Sequence, residues 1–159
     1  MHLILPDFVL PSRQNKNWQE SGIDSLDQCL NKDHFKNYLY PVSYNYNSRG
    51  YRDIEWPSGQ ELQNSIWCIG DSFTVGLGCP VEHTWPHLLK TKTHINTINV
   101  SLDGASNDWI ARKTVDILNY IKPRNIVLQW SYFFRTEIND ELDRKSTRLN
   151  SSHITISYA

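Results

Sequence analysis

The 159-residue chain has few of the residues that define several common classes of protein. Cysteine occurs only three times, without a Cys-x-x-Cys pair, and an odd number of scattered cysteines argues against a disulfide framework. No apolar stretch approaches the roughly 20 residues that a membrane-spanning helix needs. The first seven residues are too short and too uncharged for a signal peptide. We therefore expect a reduced, cytoplasmic setting and no membrane span.

An excess of charge of one sign is also lacking. The chain has 16 basic and 17 acidic residues, for a net charge of −1, and a mean hydropathy of −0.54. Because Lys and Arg form no run, the electrostatic footprint of a nucleic-acid-binding protein is missing, and no nucleic-acid partner is expected. The length and a hydrophobic content of 39% suit one domain.

What the chain does have is an apolar run that ends in a small polar turn. Residues 66–78 read Ile-Trp-Cys-Ile-Gly-Asp-Ser-Phe-Thr-Val-Gly-Leu-Gly. A buried strand that ends at Gly70-Asp71-Ser72 would place Ser72 at the carboxyl edge of a sheet, where open α/β folds build ligand sites. There the Ser72 Oγ would be exposed, and free backbone N–H groups would face an anion. An ordinary turn between a strand and a loop has the same composition.

The residues around this turn resemble the SGNH (GDSL) hydrolase family. Residues 70–76 and 82–89 are similar to the first block of that family. Residues 47–53, Asn-Ser-Arg-Gly-Tyr-Arg-Asp, resemble the lead-in of many bacterial and phage members, and residues 98–104 resemble the second block. The resemblance runs from about Tyr46 to Glu137; the first block is specific, and the others are supportive.

From Ser65 onward the sequence alternates between strand and helix patterns. We predict strands over 66–69, 95–100 and 125–131, and helices over 84–92 and from Ser106 or Asn107 until shortly before Pro123. This alternation predicts a parallel sheet with right-handed crossovers. The spacing assigns the second helix an apolar face of Ile110, Ala111, Thr114, Val115, Leu118 and Ile121. The resemblance implies a flavodoxin-like, three-layer α/β/α fold of strand order 2-1-3-4-5, with only the first three strands present.

The remaining regions are less regular. Residues 1–64 read as an irregular lead-in with one possible helix that starts near Asp24 or Ser25 and carries Leu26, Cys29, Leu30 and Phe35 on one face. Residues 65–143 form the N-terminal part of the hydrolase-like domain. Residues 144–159 closely resemble a translated adapter or vector sequence of the kind found at the broken ends of assembled metagenomic reads. A genuine tail is the alternative, but we expect the natural protein to be longer than this chain.

The resemblance implies a serine ester hydrolase that acts on small ester or O-acylated substrates without a cofactor. Ser72 would be the nucleophile, and the N–H groups of Ser72 and Gly104 would bind the oxyanion. Asn107 is a further candidate for the oxyanion hole, although it could instead cap the following helix, and Gly104 could be a plain turn glycine. Asp71 is expected to accept backbone N–H bonds within the turn and not to be catalytic.

Two departures from the family pattern bear on activity. The third block, Gly-x-Asn-Asp, would fall at residues 129–135, which read Gln-Trp-Ser-Tyr-Phe-Phe-Arg with no Asn in register. Trp130 or Arg135 could line an acyl pocket or be structural. No Asp is followed three residues later by His, as the last block of the family requires. His153 lies in the suspected adapter and is rejected, so we expect the catalytic His and Asp beyond the end of the chain and no activity from the fragment.

Other functions remain open. His83 and His87 are four residues apart, but no acidic or Cys partner stands at a useful spacing, so no metal site is expected. A flavodoxin-like phosphate- or nucleotide-binding module could use the amides of residues 71–76. It lacks a Walker lysine, and the nearest expected helix starts only near Thr84. A non-catalytic, phage-type structural protein with the SGNH fold is another possibility. The sequence does not indicate the oligomeric state or the acyl group.

Overall fold

The computed structural model describes residues 8–20 and 42–135 of the chain. Its elements in chain order are β1 (Asn17–Glu20), β2 (Val42–Asn45), α1 (Gln60–Asn64), β3 (Ile66–Gly70), α2 (Ser72–Val75), a 3-10 turn (Val81–His83), α3 (Trp85–Thr93), β4 (Thr97–Ser101), α4 (Asn107–Tyr120) and β5 (Asn125–Leu128). Within these residues no helix is both long enough and apolar enough to cross a bilayer.

A three-stranded parallel sheet lies at the centre of the fold, with β3 between β4 and β5. Ile66 pairs with Thr97 on one side and with Asn125 on the other, so the three strands start level with one another. Every residue of β3 is buried, as expected for the continuous apolar run of a central parallel strand. The prediction of an α/β fold with a parallel sheet is confirmed, and the three strands lie in the order second, first, third.

The predicted element boundaries are close to those observed, with one informative exception. Helix α3 begins after Thr84 and has Pro86 in its first turn, where a missing N–H has no helical partner to lose. Strand β5, in contrast, ends at Leu128 rather than at Ser131. Beyond Leu128 only the N–H of Gln129 continues the sheet, by donating to the Ile69 carbonyl oxygen at 2.9 Å. The apolar character of the segment therefore overstates the length of the strand.

The predicted apolar face of α4 is only partly correct. Ile110 and Ile121 are buried, but Val115 and Leu118 are 54% and 49% exposed. The side chains of α4 and its C-cap that join the core cluster are Trp109, Ile110, Ile117 and Ile121. The sequence holds two overlapping apolar stripes at helical spacing, and contact with the rest of the core selects one of them.

Residues well before the first predicted parallel strand supply part of this core. Phe8 and Tyr51 are no more than 1% exposed, like Trp67 of β3, against which Phe8 packs. The rings of Phe8 and Trp67 meet edge-on at 6.1 Å, and Tyr51 stacks on Trp56 at 5.1 Å between ring centroids. The described part of the lead-in, which the sequence predicts to be irregular, is therefore packed into the core of the domain.

Strands β1 and β2 form an antiparallel pair that the sequence does not predict. The turn after β2 is closed by Asn47, whose Oδ1 accepts the N–H groups of Arg49 and Tyr51 and whose Nδ2 donates to the Ile54 carbonyl oxygen. The lead-in motif is thus a hydrogen-bonded turn. The helix expected near Asp24 and the adapter-like residues 144–159 lie outside the described residues.

Asp53, the last residue of the lead-in motif, connects this turn to the sheet. Its Oδ2 accepts the N–H of Asn99 in β4 at 2.8 Å, and its Oδ1 accepts the N–H of Ile54 at 2.9 Å. Burial outweighs these bonds and raises the pKa of Asp53 to about 6, from an ordinary value of 3.8. The folded protein therefore binds a proton at this carboxyl more tightly than the unfolded chain does.

We expect the stability difference between wild type and Asp53→Asn to depend on pH. Between about pH 4 and pH 6, the Asp53 carboxyl is ionised in the unfolded chain, where its pKa is 3.8, but still protonated in the folded protein, where its pKa is about 6. The free energy of unfolding of the wild type should therefore fall relative to the variant, by up to about 3 kcal/mol. Urea unfolding between pH 4 and 7 measures this, with the exposed Asp108→Asn as control. A difference that is constant with pH would contradict the raised pKa.

Candidate active site

Three turns meet at the carboxyl edge of the parallel sheet. Asp71 and Ser72 follow β3, residues 102–106 follow β4, and residues 129–135 follow β5. The Leu102 N–H donates to the Gly70 carbonyl oxygen at 3.2 Å, which keeps the first two turns side by side. Because parallel strands bring their carboxyl ends to one edge, the structure places Ser72, Gly104 and Asn107 there together.

Ser72 is the first residue of α2 and is partly buried. Among the hydrogen bonds of the described residues, none uses its Oγ or its N–H. Its carbonyl oxygen accepts two, from the N–H groups of Gly76 at 2.9 Å and Leu77 at 3.2 Å. A free hydroxyl and a free N–H on one residue match what a nucleophile needs if it also contributes to an oxyanion hole.

Helix α2 itself is not predicted by the sequence analysis. Asp71 caps it by accepting the Phe73 N–H on Oδ1 at 3.0 Å, and Gly76, with φ of 74°, ends it in the left-handed conformation. The expectation that Asp71 accepts a backbone N–H is confirmed. The expectation that the first helix after β3 starts near Thr84 is wrong, because α2 starts at Ser72. The distance of the nearest helix therefore no longer argues against a phosphate-binding loop at residues 71–76.

Gly70 permits α2 to lie close against the end of β3. A Cβ at this position would collide with Oγ1 of Thr74. Thr74 is fully buried, donates its Oγ1 hydrogen to Oε1 of Gln129 at 2.7 Å and accepts Nε1–H of Trp85 at 3.2 Å. The glycine of the Gly-Asp-Ser motif is therefore required by this close approach.

The Asp71 carboxylate is only 1% exposed and receives hydrogen bonds from several segments. Besides the capping bond, its Oδ1 accepts Nε2–H of Gln129 at 3.0 Å. Its Oδ2 accepts the Ser131 hydroxyl at 2.8 Å and Nη1–H of Arg135 at 3.2 Å. These donors compensate the burial of a charge, which is otherwise costly. The result is a network, the Asp71 network, that joins the exit of β3 to the exit of β5.

Sequence reasoning missed the roles of Gln129 and Ser131. They lie where the third family block would fall, and that pattern predicts an Asn that faces the oxyanion, not side chains that bind Asp71. Their alternation at a strand end was the available signal, since every second residue of a strand points to the same face. Of the two residues considered for an acyl pocket, Arg135 binds Asp71, and Trp130 is 54% exposed.

The other two oxyanion candidates differ from each other. Gly104 has φ of 75°, and its N–H has no acceptor among the described residues. The cap of α4 is Ser106, not Asn107. The Asn107 amide instead bonds the backbone of Ser131, through Nδ2 to the carbonyl oxygen at 3.3 Å and through Oδ1 from the N–H at 2.8 Å. Thus Ser72 and Gly104 each keep a free N–H, whereas the Asn107 amide also tethers the β5 exit.

Residues 8–20 and 42–135 contain no group of three His, Cys, Asp or Glu side chains close enough together to hold a metal ion. His83 ends the 3-10 turn and His87 lies in α3, so the two are not on one helix. Nor does any histidine of these ranges hydrogen-bond to the Ser72 Oγ. A depression lies at the opposite, amino edge of the sheet, lined by Glu61, Asn64, Ser65, His94, Ile95, Asn96, Arg124 and Asn125. None of the motif residues lines it.

We expect Asp71→Asn to lower the free energy of unfolding by about 2 kcal/mol, because the new amide places a donor against the Ser131 hydroxyl or the Arg135 guanidinium. Arg135→Gln, at a partly exposed partner, should have a smaller effect. Urea unfolding of both single variants and the double variant gives their coupling, which should exceed about 0.5 kcal/mol for residues in contact. Strictly additive effects would contradict the ion pair.

The resemblance to SGNH hydrolases is carried by the motif residues of the sequence and stays a prediction. Comparisons of the chain with protein-family models, with curated proteins and with solved structures found no match.

Proposed function

We propose that this protein is a serine ester hydrolase of the SGNH type, with a flavodoxin-like sheet and small ester or O-acylated substrates. One observation carries the proposal. Ser72 lies at the carboxyl edge of the sheet with its Oγ and N–H both unbonded among the described residues, and the equally unbonded N–H of Gly104 lies in the adjacent turn. The Asp71 network supports the proposal because it fixes the residue directly before the nucleophile.

In the proposed reaction, the Ser72 Oγ attacks the ester carbonyl carbon while a histidine accepts the Ser72 proton. The N–H groups of Ser72 and Gly104 donate to the oxyanion of the tetrahedral intermediate. The histidine then protonates the departing alcohol, and an acyl-enzyme remains. Water, deprotonated by the same histidine, attacks the acyl carbon, which releases the acid and restores Ser72.

The absence of an Asn at the third block leaves this oxyanion hole with fewer donors than the family pattern implies. Loss of one such donor typically lowers kcat by about 10²–10³. Asn107 could contribute through the second hydrogen of its amide, since the first is given to Ser131. We therefore expect a hydrolase with a low kcat, in which the N–H groups of Ser72 and Gly104 are the main oxyanion donors.

The histidine is the part of the proposal that can be tested first, at the level of the gene. We expect the coding sequence, read from an independent library, to diverge from the printed sequence near residues 143–145. It should continue through alternating helix and strand patterns and contain an Asp-x-x-His block. A frame that ends at Ala159, or that continues without such a histidine, would leave only a likeness of fold and favour the non-catalytic function.

We expect the protein encoded by that frame to hydrolyse a short-chain p-nitrophenyl ester and Ser72→Ala to lower kcat by at least about 10³. Release of p-nitrophenol, followed by absorbance, measures the rate. Ser58→Ala, at an exposed serine before α1, is the matched control and should keep the wild-type rate. Activity of Ser72→Ala within a few fold of wild type would refute the serine mechanism.

A fluorophosphonate probe distinguishes the hydrolase from its alternatives. An activated serine is labelled, and the label should map to Ser72. A folded protein that hydrolyses no ester and takes no label would be a structural relative. Binding of inorganic phosphate or of a nucleotide, competed by neither ester nor probe, would instead favour the phosphate-binding module.

A further inference from the structure

Arg52 is a buried cation with no carboxylate in direct contact among the described residues. The residue is 3% exposed, and its guanidinium carbon lies 4.1 Å from the centre of the Tyr44 ring. The ion pairs of the described residues do not include it. Burial lowers the pKa of Arg52 from its ordinary value. A cation in such a place is tolerated only if strong hydrogen-bond acceptors surround it.

Four backbone carbonyl oxygens provide these acceptors. Nη1 of Arg52 donates to the oxygens of Val75 at 3.1 Å and Gly76 at 2.6 Å. Nη2 donates to the oxygens of Cys79 at 3.0 Å and Ser43 at 3.0 Å. Three of these carbonyls lie at or just after the end of α2, and the fourth belongs to β2. A planar guanidinium can bond to both groups at once, which a lysine ammonium cannot do in the same geometry.

The segment whose carbonyl oxygens accept hydrogen bonds from Arg52 is also hydrogen-bonded to Ser72. We call residues Gly76–Cys79 the exit segment, because the chain leaves α2 through it. The N–H groups of its first two residues donate to the Ser72 carbonyl oxygen, at 2.9 and 3.2 Å. The N–H of Gly78 donates to the Tyr44 hydroxyl in β2 at 2.8 Å. The exit segment is therefore held between Ser72 on one side and β2 on the other.

Gly76 shows how closely the exit segment is packed. Its φ of 74° lies in the left-handed region, and a Cβ there would collide with Cγ2 of Thr84 and lie 3.2 Å from Nη1 of Arg52. The exit segment therefore lies between Thr84 on one side and the Arg52 guanidinium on the other. A displaced Arg52 would remove one of these two walls.

From these contacts we infer that Arg52 is a positioning residue for Ser72. By joining the exit segment to β2, Arg52 holds the turn that carries the Ser72 carbonyl, N–H and Oγ in place. Through Ser43 and Tyr44, strand β2 thus helps to hold the turn that carries Ser72. The consequence for hydrolysis rests on the proposed function, whereas the attachment of the exit segment does not.

Cys79 provides a reporter within the exit segment itself. Burial raises the pKa of the Cys79 thiol, so we expect slow reaction of the closed segment with Ellman's reagent, which requires a thiolate. Cys68 in β3 is fully buried and reports unfolding of the sheet. A Cys29→Ser background leaves these two thiols as the only ones in the chain.

We expect Arg52→Met to increase the reaction rate of Cys79 by about tenfold or more relative to Cys68, because the exit segment opens locally. Arg52→Lys, which keeps the charge without the planar fork, should give a smaller increase. A purely electrostatic role predicts the opposite, since the Arg52 charge lowers the pKa of Cys79 and its loss would slow the reaction. A Cys79 rate that falls, stays unchanged, or rises only in step with Cys68 overturns the inference. If Arg52→Met does not fold, Arg52→Lys decides by the same ratio.

A matched control separates local opening from loss of overall stability. Ile117→Ala in α4 removes buried apolar contacts far along the chain from the exit segment, and both thiols should then become reactive together. A selective rise of Cys79 in this control would show that the ratio does not report on Arg52, which would overturn the inference as well.

Kinetics test the consequence for Ser72. In the ester assay, Arg52→Lys should lower kcat by about tenfold and change KM by less than about twofold, as expected for a displaced nucleophile with unaltered substrate binding. If Ser72→Ala leaves activity intact, the proposed function fails, but the thiol result still decides the attachment of the exit segment. If Ser72 is required and Arg52→Lys retains the wild-type kcat, the positioning role is overturned.

Discussion

The buried carboxylate of Asp71 imposes a constraint on every element around the candidate site. A carboxylate that is 1% exposed must be compensated by donors, and those donors come from α2 and from the residues after β5. Because the donors are distant in sequence, the charge is compensated only when both turns are folded against each other. Ser72 is the next residue, so the bonds made by Asp71 fix the backbone that carries the Ser72 hydroxyl.

Arg52 poses the complementary problem at the other end of α2. Its donors bond the carbonyl oxygen of Val75, the last residue of α2, and that of the cap residue Gly76. A negative charge therefore caps the amino end of α2 and a positive charge the carboxyl end, which is the arrangement that the helix dipole favours. Two buried charges thus stabilise a single helical turn that local propensity alone would not maintain.

Local patterns predict those elements whose cause is local. The apolar run of β3 and the Thr84-x-Pro86 start of α3 are each set by their own residues, and both are found where the sequence predicts them. Helix α2 is a single turn, too short to show an apolar helical period, and the pair β1–β2 joins residues as far apart in the chain as Asn17 and Asn45. Local patterns indicate neither a single helical turn nor a pairing over that distance.

The same distinction applies to the candidate site. The Gly70-Asp71-Ser72 turn is recognisable because a strand, a close approach and a cap follow one another within a few residues. The role of Gln129 is not evident from the sequence because its hydrogen-bond partners, Asp71 and Thr74, follow β3, whereas Gln129 follows β5. The predicted buried face of α4 is partly wrong for a similar reason, since only the packing of the core decides which of its two apolar stripes is buried.

The bond between Asp53 and Asn99 makes the two sides of the parallel sheet unequal. β4 and β5 are both outer strands of this sheet, but the Asn99 N–H of β4 already donates a hydrogen bond to the Asp53 carboxylate. A strand that approached β4 would have to displace Asp53 before it could pair there. No side chain of residues 8–20 and 42–135 bonds to the backbone of β5, and its residues alternate between exposed and partly exposed. Growth of the sheet is therefore directional: additional strands can join at β5 without breaking an existing bond, but not at β4.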